Sequence, residues 1–304
     1  MSTATPGAAT RHPTDAEEDR AKTRAARLSI LAAAFLIVLK LTTAWLTGSI
    51  SVLASLLDSA MDIFASFTNF IAVRAAARPP DEDHAYGHGK AESLAGLLQA
   101  AVITASGLFL IWEAIQRLIA PPAIDFQWLG IGTMLVASLV SFALVRKLSR
   151  VARETDSPAI SADAVHYASD VYTNGAALVA LLIVVTTNWR LADPLISIAI
   201  SVYILWTAIS VARESIDVLM DRRLPPEIDE AVASVVGRYR DEGVVGFHDL
   251  RTRRSGSYKF IDLHLEVRRD QSLEDAHALT VRVLRAIEAE IPRARVQIHT
   301  DPAG

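Results

Sequence analysis

The chain has 304 residues, is 51% hydrophobic with a mean hydropathy of +0.30, and carries a formal net charge of −4. It is too apolar for an ordinary soluble protein, and its acidic balance argues against a nucleic-acid partner. There is no cysteine, which rules out thiolate metal ligands and disulfides and leaves the redox compartment unread.

Residues 1–24, beginning MSTATPGAATRHPTDAEED, are small, polar and Pro/Gly-containing, and read as a disordered cytoplasmic tail. A spanning helix needs about 20 mostly apolar residues. Six segments qualify, at 26–47, 50–74, 92–119, 124–148, 160–187 and 190–213, giving a six-helix transmembrane domain over 25–220. A cleaved signal peptide is not expected, because the first run comes late, has full spanning length and is followed by more of the same. Basic residues collect on one side of these spans: Arg11, Arg20, Lys22, Arg24 and Arg27 before the first, Arg74, Arg78 and Lys90 after the second, and Arg146, Lys147, Arg150 and Arg153 after the fourth. The opposite loops offer Arg117 and Arg190. Cytoplasmic loops hold the excess of Lys and Arg, so both termini are expected in the cytoplasm.

The second span contains LLDSAMD, with Asp58 and Asp62 four residues apart and therefore on one helical face. A charge at the bilayer centre costs about 3 kcal/mol, so such residues face a bundle interior or a polar cavity. The fifth span contains HYASD, with His166 and Asp170 at the same spacing and similar depth. Three carboxylates and an imidazole suit a tetrahedral divalent metal, whose charge would relieve the repulsion between the acids. The competing reading is a buried aspartate pair satisfied by hydroxyls and a shared proton. Asn69 and Asn174, further along the same spans, are candidate partners of the ligands or simple interhelical donors.

The connection before the third span, PPDEDHAYGHGKAES, holds Asp81, His84 and His88 in a D-x-x-H-x-x-x-H pattern. It is short enough to close around one ion, though a solvated loop has the same composition. Residues 221–304 read as a soluble domain. An amphipathic helix over 227–239 is followed by FHDLRTR and KFIDLHLEV as strands, a helix over 272–291, and ARVQIHT as a last strand. Ile261, Leu263, Leu265 and Val267 should face the core and His264 the opposite side. His248, His277 and His299 complete the set of histidines there, and exposed histidines on a polar sheet face need no special explanation.

LLDSAMD together with ADAVHYASDVYTNG, six spans, GHGK at the third span and a tail beginning MDRRLPPE resembles the cation diffusion facilitator family, most closely its bacterial zinc/ferrous-iron efflux branch. The resemblance implies an α-helical membrane domain with a C-terminal cytoplasmic α/β domain of ferredoxin-like, metallochaperone-like fold. It implies a transport site at Asp58, Asp62, His166 and Asp170, and a loop metal site at Asp81, His84 and His88. A cytoplasmic binuclear site would draw on His248, His264, His299 and Asp301, with His277 close by and Gln271, Asp275 or a water open as the completing ligand. It further implies a homodimer with a charge interlock between Lys90 and Asp221. Ligands must be deprotonated to hold metal, so metal and protons compete for the quartet. The expectation is a proton-coupled antiporter exporting divalent cations, zinc first and cadmium or ferrous iron next, by alternating access in a bacterial inner membrane. A membrane metal sensor would keep the same ligands without flux. A membrane metallohydrolase would need an open coordination position and a nearby base, and no HExxH or GxSxG stretch occurs.

Overall fold

The computed structural model describes residues 13–47, 50–119, 128–187, 189 and 191–304, with the side chains of 13–14, 44, 47 and 50–60 outside that description. The chain divides into two compact units, one formed by residues up to 87 and 91–215, the other by 88–90 and 216–304.

The first unit is helical: α1 Pro13–Thr47, α2 Ile50–Ala76, α3 Lys90–Ile119, α4 Trp128–Thr155, α5 Pro158–Thr187 and α6 Ala192–Leu219. Among the described residues five of these, all but α2, contain stretches long and apolar enough to cross a membrane. Large apolar side chains such as Phe35, Trp112, Leu139, Leu182 and Trp206 point outward. Water would penalise that much exposed apolar surface, whereas lipid tails solvate it. Hydroxyls within the spans turn back on their own helix, Thr104 to Ala100 O at 2.7 Å and Thr186 to Leu182 O at 2.8 Å, so that they do not face hydrocarbon unpaired. Helices α1, α2, α4 and α5 pack together around Ala26, Val73, Leu148, Ile160 and Tyr167. Helices α3 and α6 meet at small residues: a Cβ on Gly96 would stand 2.6 Å from Ser215 Oγ, and one on Gly107 2.9 Å from Leu205.

The start of α1 corrects the tail expected over residues 1–24. Residues 13–24 are helical; 1–12 lie outside the described residues. Asp15, Asp19 and Lys22 are buried there, whereas Glu17, Arg20 and Arg24 face outward. Lys22, 2% exposed, reaches Asp19 at 3.2 Å and Glu92 Oε1 at 2.8 Å, while the Ser157 hydroxyl donates to Glu92 Oε2 at 2.5 Å. Polarity alone predicted disorder, but a polar segment orders when its buried charges meet partners, as Lys22 does with Asp19 and Glu92. The helices likewise run past the apolar stretches, α4 to Thr155 and α6 to Leu219.

In the second unit α7 (Pro226–Gly237) precedes β1 (Val244–Ser255), β2 (Tyr258–Val267), α8 (Leu273–Glu290) and β3 (Ala294–Pro302). β2 is central, antiparallel to β1 and parallel to β3. Ile261, Leu263, Leu265 and Val267 pack with Val232, Val235 and Val236 of α7 and Leu279, Val283 and Ile287 of α8. Each such side chain contributes about 1.5–3 kcal/mol by leaving water. Ser272 caps α8, accepting from Asp275 N at 3.1 Å. The β1–β2 turn lies against Gly89. A Cβ there would come within 2.3 Å of Ser255 O, and Gly256, at φ +59°, supplies the left-handed residue of the turn.

Candidate metal centres

Asp62 lies on α2 and His166 and Asp170 on α5, one atom from each within 4.8 Å of the others. Asp62 is 6% and His166 4% exposed. His166 Nε2 stands 3.0 Å from Asp62 Oδ1. That separation is near the edge of about 3.3 Å of a tetrahedron with bonds of about 2.0 Å. Asp58 belongs to α2, one turn before Asp62, with its side chain outside the described residues.

The neighbouring Tyr167 fixes α5 in place. Fully buried, it donates to Ser29 O at 3.0 Å and shares a hydrogen bond with Ser66 Oγ at 2.9 Å, which ties α5 to α1 and α2. Its ring packs edge-on to the His166 imidazole, centroids 5.3 Å apart. Asn69 is buried, and its amide faces Asp163. Asn174 is half-buried one turn beyond Asp170. Sequence reasoning passed over Asp163, although it is an ionisable residue inside a span and three residues before His166, the same signal that exposed the quartet.

In the loop, Asp81 and His84 close on each other: the His84 backbone N–H donates to Asp81 Oδ1 at 2.7 Å, with Nδ1 3.2 Å from the same oxygen. His88 follows at the end of the loop, partly buried.

The second unit lines up its histidines by register. His248 pairs with His264 across β1–β2, and His264 with His299 across β2–β3, so the three form one row across the sheet. Ring centroids are 5.0 and 4.8 Å apart. A bulge follows His248, with Asp249 at φ 50°, where the β1–β2 register shifts. Asp301 reaches the whole row: Oδ2 to His264 Nδ1 at 2.9 Å and to His248 Nε2 at 3.4 Å, Oδ1 to His299 Nε2 at 3.2 Å. The His264 hydrogen bond, followed by the fields of His299, His264 and His248, holds the Asp301 carboxyl below the usual carboxylate range. Among the described residues His248, His264 and Asp301 offer ligand atoms close enough to share one ion.

His277 stands apart from that row. It lies on α8 and lines a cavity of about 830 Å³ with Glu242, Gln271, Asp275 and Arg282. Gln271 and Asp275, both left open as ligands, are engaged elsewhere: Gln271 Nε2 donates to Glu242 O at 3.0 Å and Asp275 takes part in the α8 cap. Lys90 Nζ meets Asp221 Oδ1 at 3.0 Å and donates to Leu219 O at 3.2 Å, and Arg253 reaches the same Asp221 oxygen at 3.3 Å. The pair expected to lock a dimer thus forms within one chain.

Comparison with known proteins covers the chain from residue 26 to residue 303. Residues 26–220 match the cation efflux transmembrane domain, and residues 224–303 match the cation efflux protein cytoplasmic domain. The cation-efflux pump FieF of Yersinia pestis (strain Pestoides F) is 44% identical over 283 residues, covering 92% of each chain, and that of Yersinia pseudotuberculosis serotype O:3 (strain YPIII) is equally similar. Among solved structures, the metal-bound C-terminal domain of the CzcD transporter from Thermotoga maritima is 30% identical, covering 25% of this chain and 87% of that one, with a TM-score of 0.24. With both halves matched in their natural order, the chain belongs to the cation diffusion facilitator family of metal transporters.

Proposed function

We propose that the chain is a proton-coupled antiporter that exports a divalent cation from the cytoplasm, with zinc as the preferred substrate and cadmium or ferrous iron next. The observation that carries this reading is the buried group Asp62, His166 and Asp170 across α2 and α5, which Asp58 completes as a fourth ligand. An imidazole with carboxylates suits zinc, although other divalent ions accept the same donors. Each ligand binds metal only when deprotonated, so loading displaces protons and release lets them return. Alternating access then needs the α2–α5 pair to expose the site first to one side and then to the other.

The protein works as a homodimer in a bacterial inner membrane, with both termini cytoplasmic by the distribution of Lys and Arg. Relatives named cation-efflux pumps support export over uptake. The His248–His264–His299 row with Asp301 is a cytoplasmic metal site. Asp81, His84 and His88 form the loop site. Metal bound there biases transport by no more than its difference in affinity between the two arrangements.

The test is metal flux into proteoliposomes under an imposed pH gradient, comparing zinc, cadmium and ferrous iron. The expected result is zinc accumulation driven by the gradient, with protons moving oppositely, and its loss in Asp62→Ala. Metal flux without opposing proton movement would refute the coupling. Unchanged flux in Asp62→Ala would point instead to a sensor.

A further inference from the structure

We propose that Lys22, Glu92 and Ser157 form a latch across the cytoplasmic ends of α1, α3 and α5, which closes the way to the metal centre from that side and parts when a cation enters. Glu92, fully buried at the start of α3, is held from two directions. Lys22 of α1 reaches its Oε1 at 2.8 Å, and the Ser157 hydroxyl donates to its Oε2 at 2.5 Å. Ser157 also accepts from Ile160 N at 3.3 Å, so it caps the first turn of α5 while holding α3. Behind the latch the helices close on small side chains. Ala162 of α5 packs with Ala100 of α3 and Val211 of α6, and a Cβ on Gly96 would lie 3.9 Å from that of Ala162. From residue 158 to residue 170 no residue of α5 is exposed. The half of α5 beyond Asp170 differs: Tyr172, Val179, Leu182 and Val185 are exposed, and a Cβ on Gly175 would meet nothing within 4 Å among the described residues. The bundle is shut from the Pro158 end as far as His166 and looser past it.

A buried ion pair suits a closure that must also open. Taking two charges out of water costs about as much as their attraction returns, so the closed pair and two hydrated charges lie close in free energy. Both groups sit where the spans meet the cytoplasm, so water takes over each of them when the helix ends part. An apolar seam alone would gain only from staying shut. Lys22→Met strands the Glu92 charge, which is then satisfied only by admitting water. Lys22→Met with Glu92→Gln leaves no charge to hydrate and favours the shut arrangement. The export cycle proposed above requires the site to open and close toward the cytoplasm, and the inference rests on that reading.

The chain has no cysteine, so Ala162→Cys provides a single thiol behind the latch. The probe is a membrane-impermeant maleimide applied to inverted membrane vesicles that hold the full chain. Ala180→Cys, buried in the looser half of α5, serves as the control thiol. Labelling of Ala162→Cys should be slow with the latch intact, rise about tenfold with Lys22→Met, and return to the slow rate when Glu92→Gln is added. Ala180→Cys should label at one unchanged rate throughout. In proteoliposomes, zinc flux at saturating zinc should fall about tenfold in the neutral pair, although that variant is the more stable of the two. A purely structural contact predicts instead that flux recovers with stability. Labelling indifferent to Lys22→Met, parallel acceleration at both thiols, or flux restored in the neutral pair overturns the proposal. Labelling needs no transport, so failure of the export reading shows separately, as unchanged zinc flux in Asp62→Ala.

Discussion

Asp301 is one carboxylate serving three imidazoles, and its depressed pKa records their combined pull. The sign of the consequence follows from linkage. A carboxyl whose folded pKa lies below its unfolded value, about 3.9, adds stability that is full above that value and is lost as pH falls through the folded pKa. Thermal unfolding of the metal-free chain across about pH 3 to 5 should therefore show a falling acid limb that Asp301→Asn flattens. An unchanged limb would mean that the contacts at 2.9, 3.2 and 3.4 Å contribute nothing to stability. The same substitution should weaken zinc binding by the cytoplasmic domain about 10- to 100-fold, measured by titration. The ligand types at this site were legible from sequence because KFIDLHLEV and ARVQIHT alternate. The row itself was not, since alternation fixes which face a side chain takes and says nothing of register between strands.

Among the elements, α1 is held by charge where it leaves the apolar core. Lys22 at 2% exposure sits between Asp19 and Glu92, and Glu92 is itself fully buried. Removing one partner of a buried pair costs about 3–5 kcal/mol, because the other charge is stranded. Lys22→Met should therefore lower the unfolding temperature and open the first turns of α1 to protease. Lys22→Met with Glu92→Gln should recover much of the loss, whereas equal destabilisation in both variants would show that the pairing is incidental. This latch explains why the tail was misread: its partner lies 70 residues away, and no local pattern announces it. The grouping of Asp62 with His166 and Asp170 was legible for the opposite reason. Its spacing of four within a span is local, and carboxylates there are too costly to be accidental.

For the molecule as a whole, the connection between transport and the cytoplasmic domain is testable at Lys90. Its contact with Asp221 at 3.0 Å is partly exposed and is worth about 0–1 kcal/mol of stability at most. Lys90→Ala should then leave zinc affinity at the quartet nearly unchanged while impairing flux or dimerisation in proteoliposomes. A weakened quartet Kd would contradict that separation of roles. Family membership and the two-domain plan were readable from motifs and apolar runs. The contacts of Asp163 with Ser29 and Asn69 were not read, because these partners come from helices that only the folded bundle brings together.

The central claim is that α2 and α5 hold one divalent ion between them. Its most direct test is zinc K-edge X-ray absorption on the full chain with Asp81, His248 and Asp301 replaced by Ala. The account predicts one bound zinc with a single imidazole nitrogen and carboxylate oxygens at about 2.0 Å, lost in His166→Ala together with Asp170→Ala. Absence of stoichiometric zinc, or an unaltered spectrum in that double variant, would contradict it.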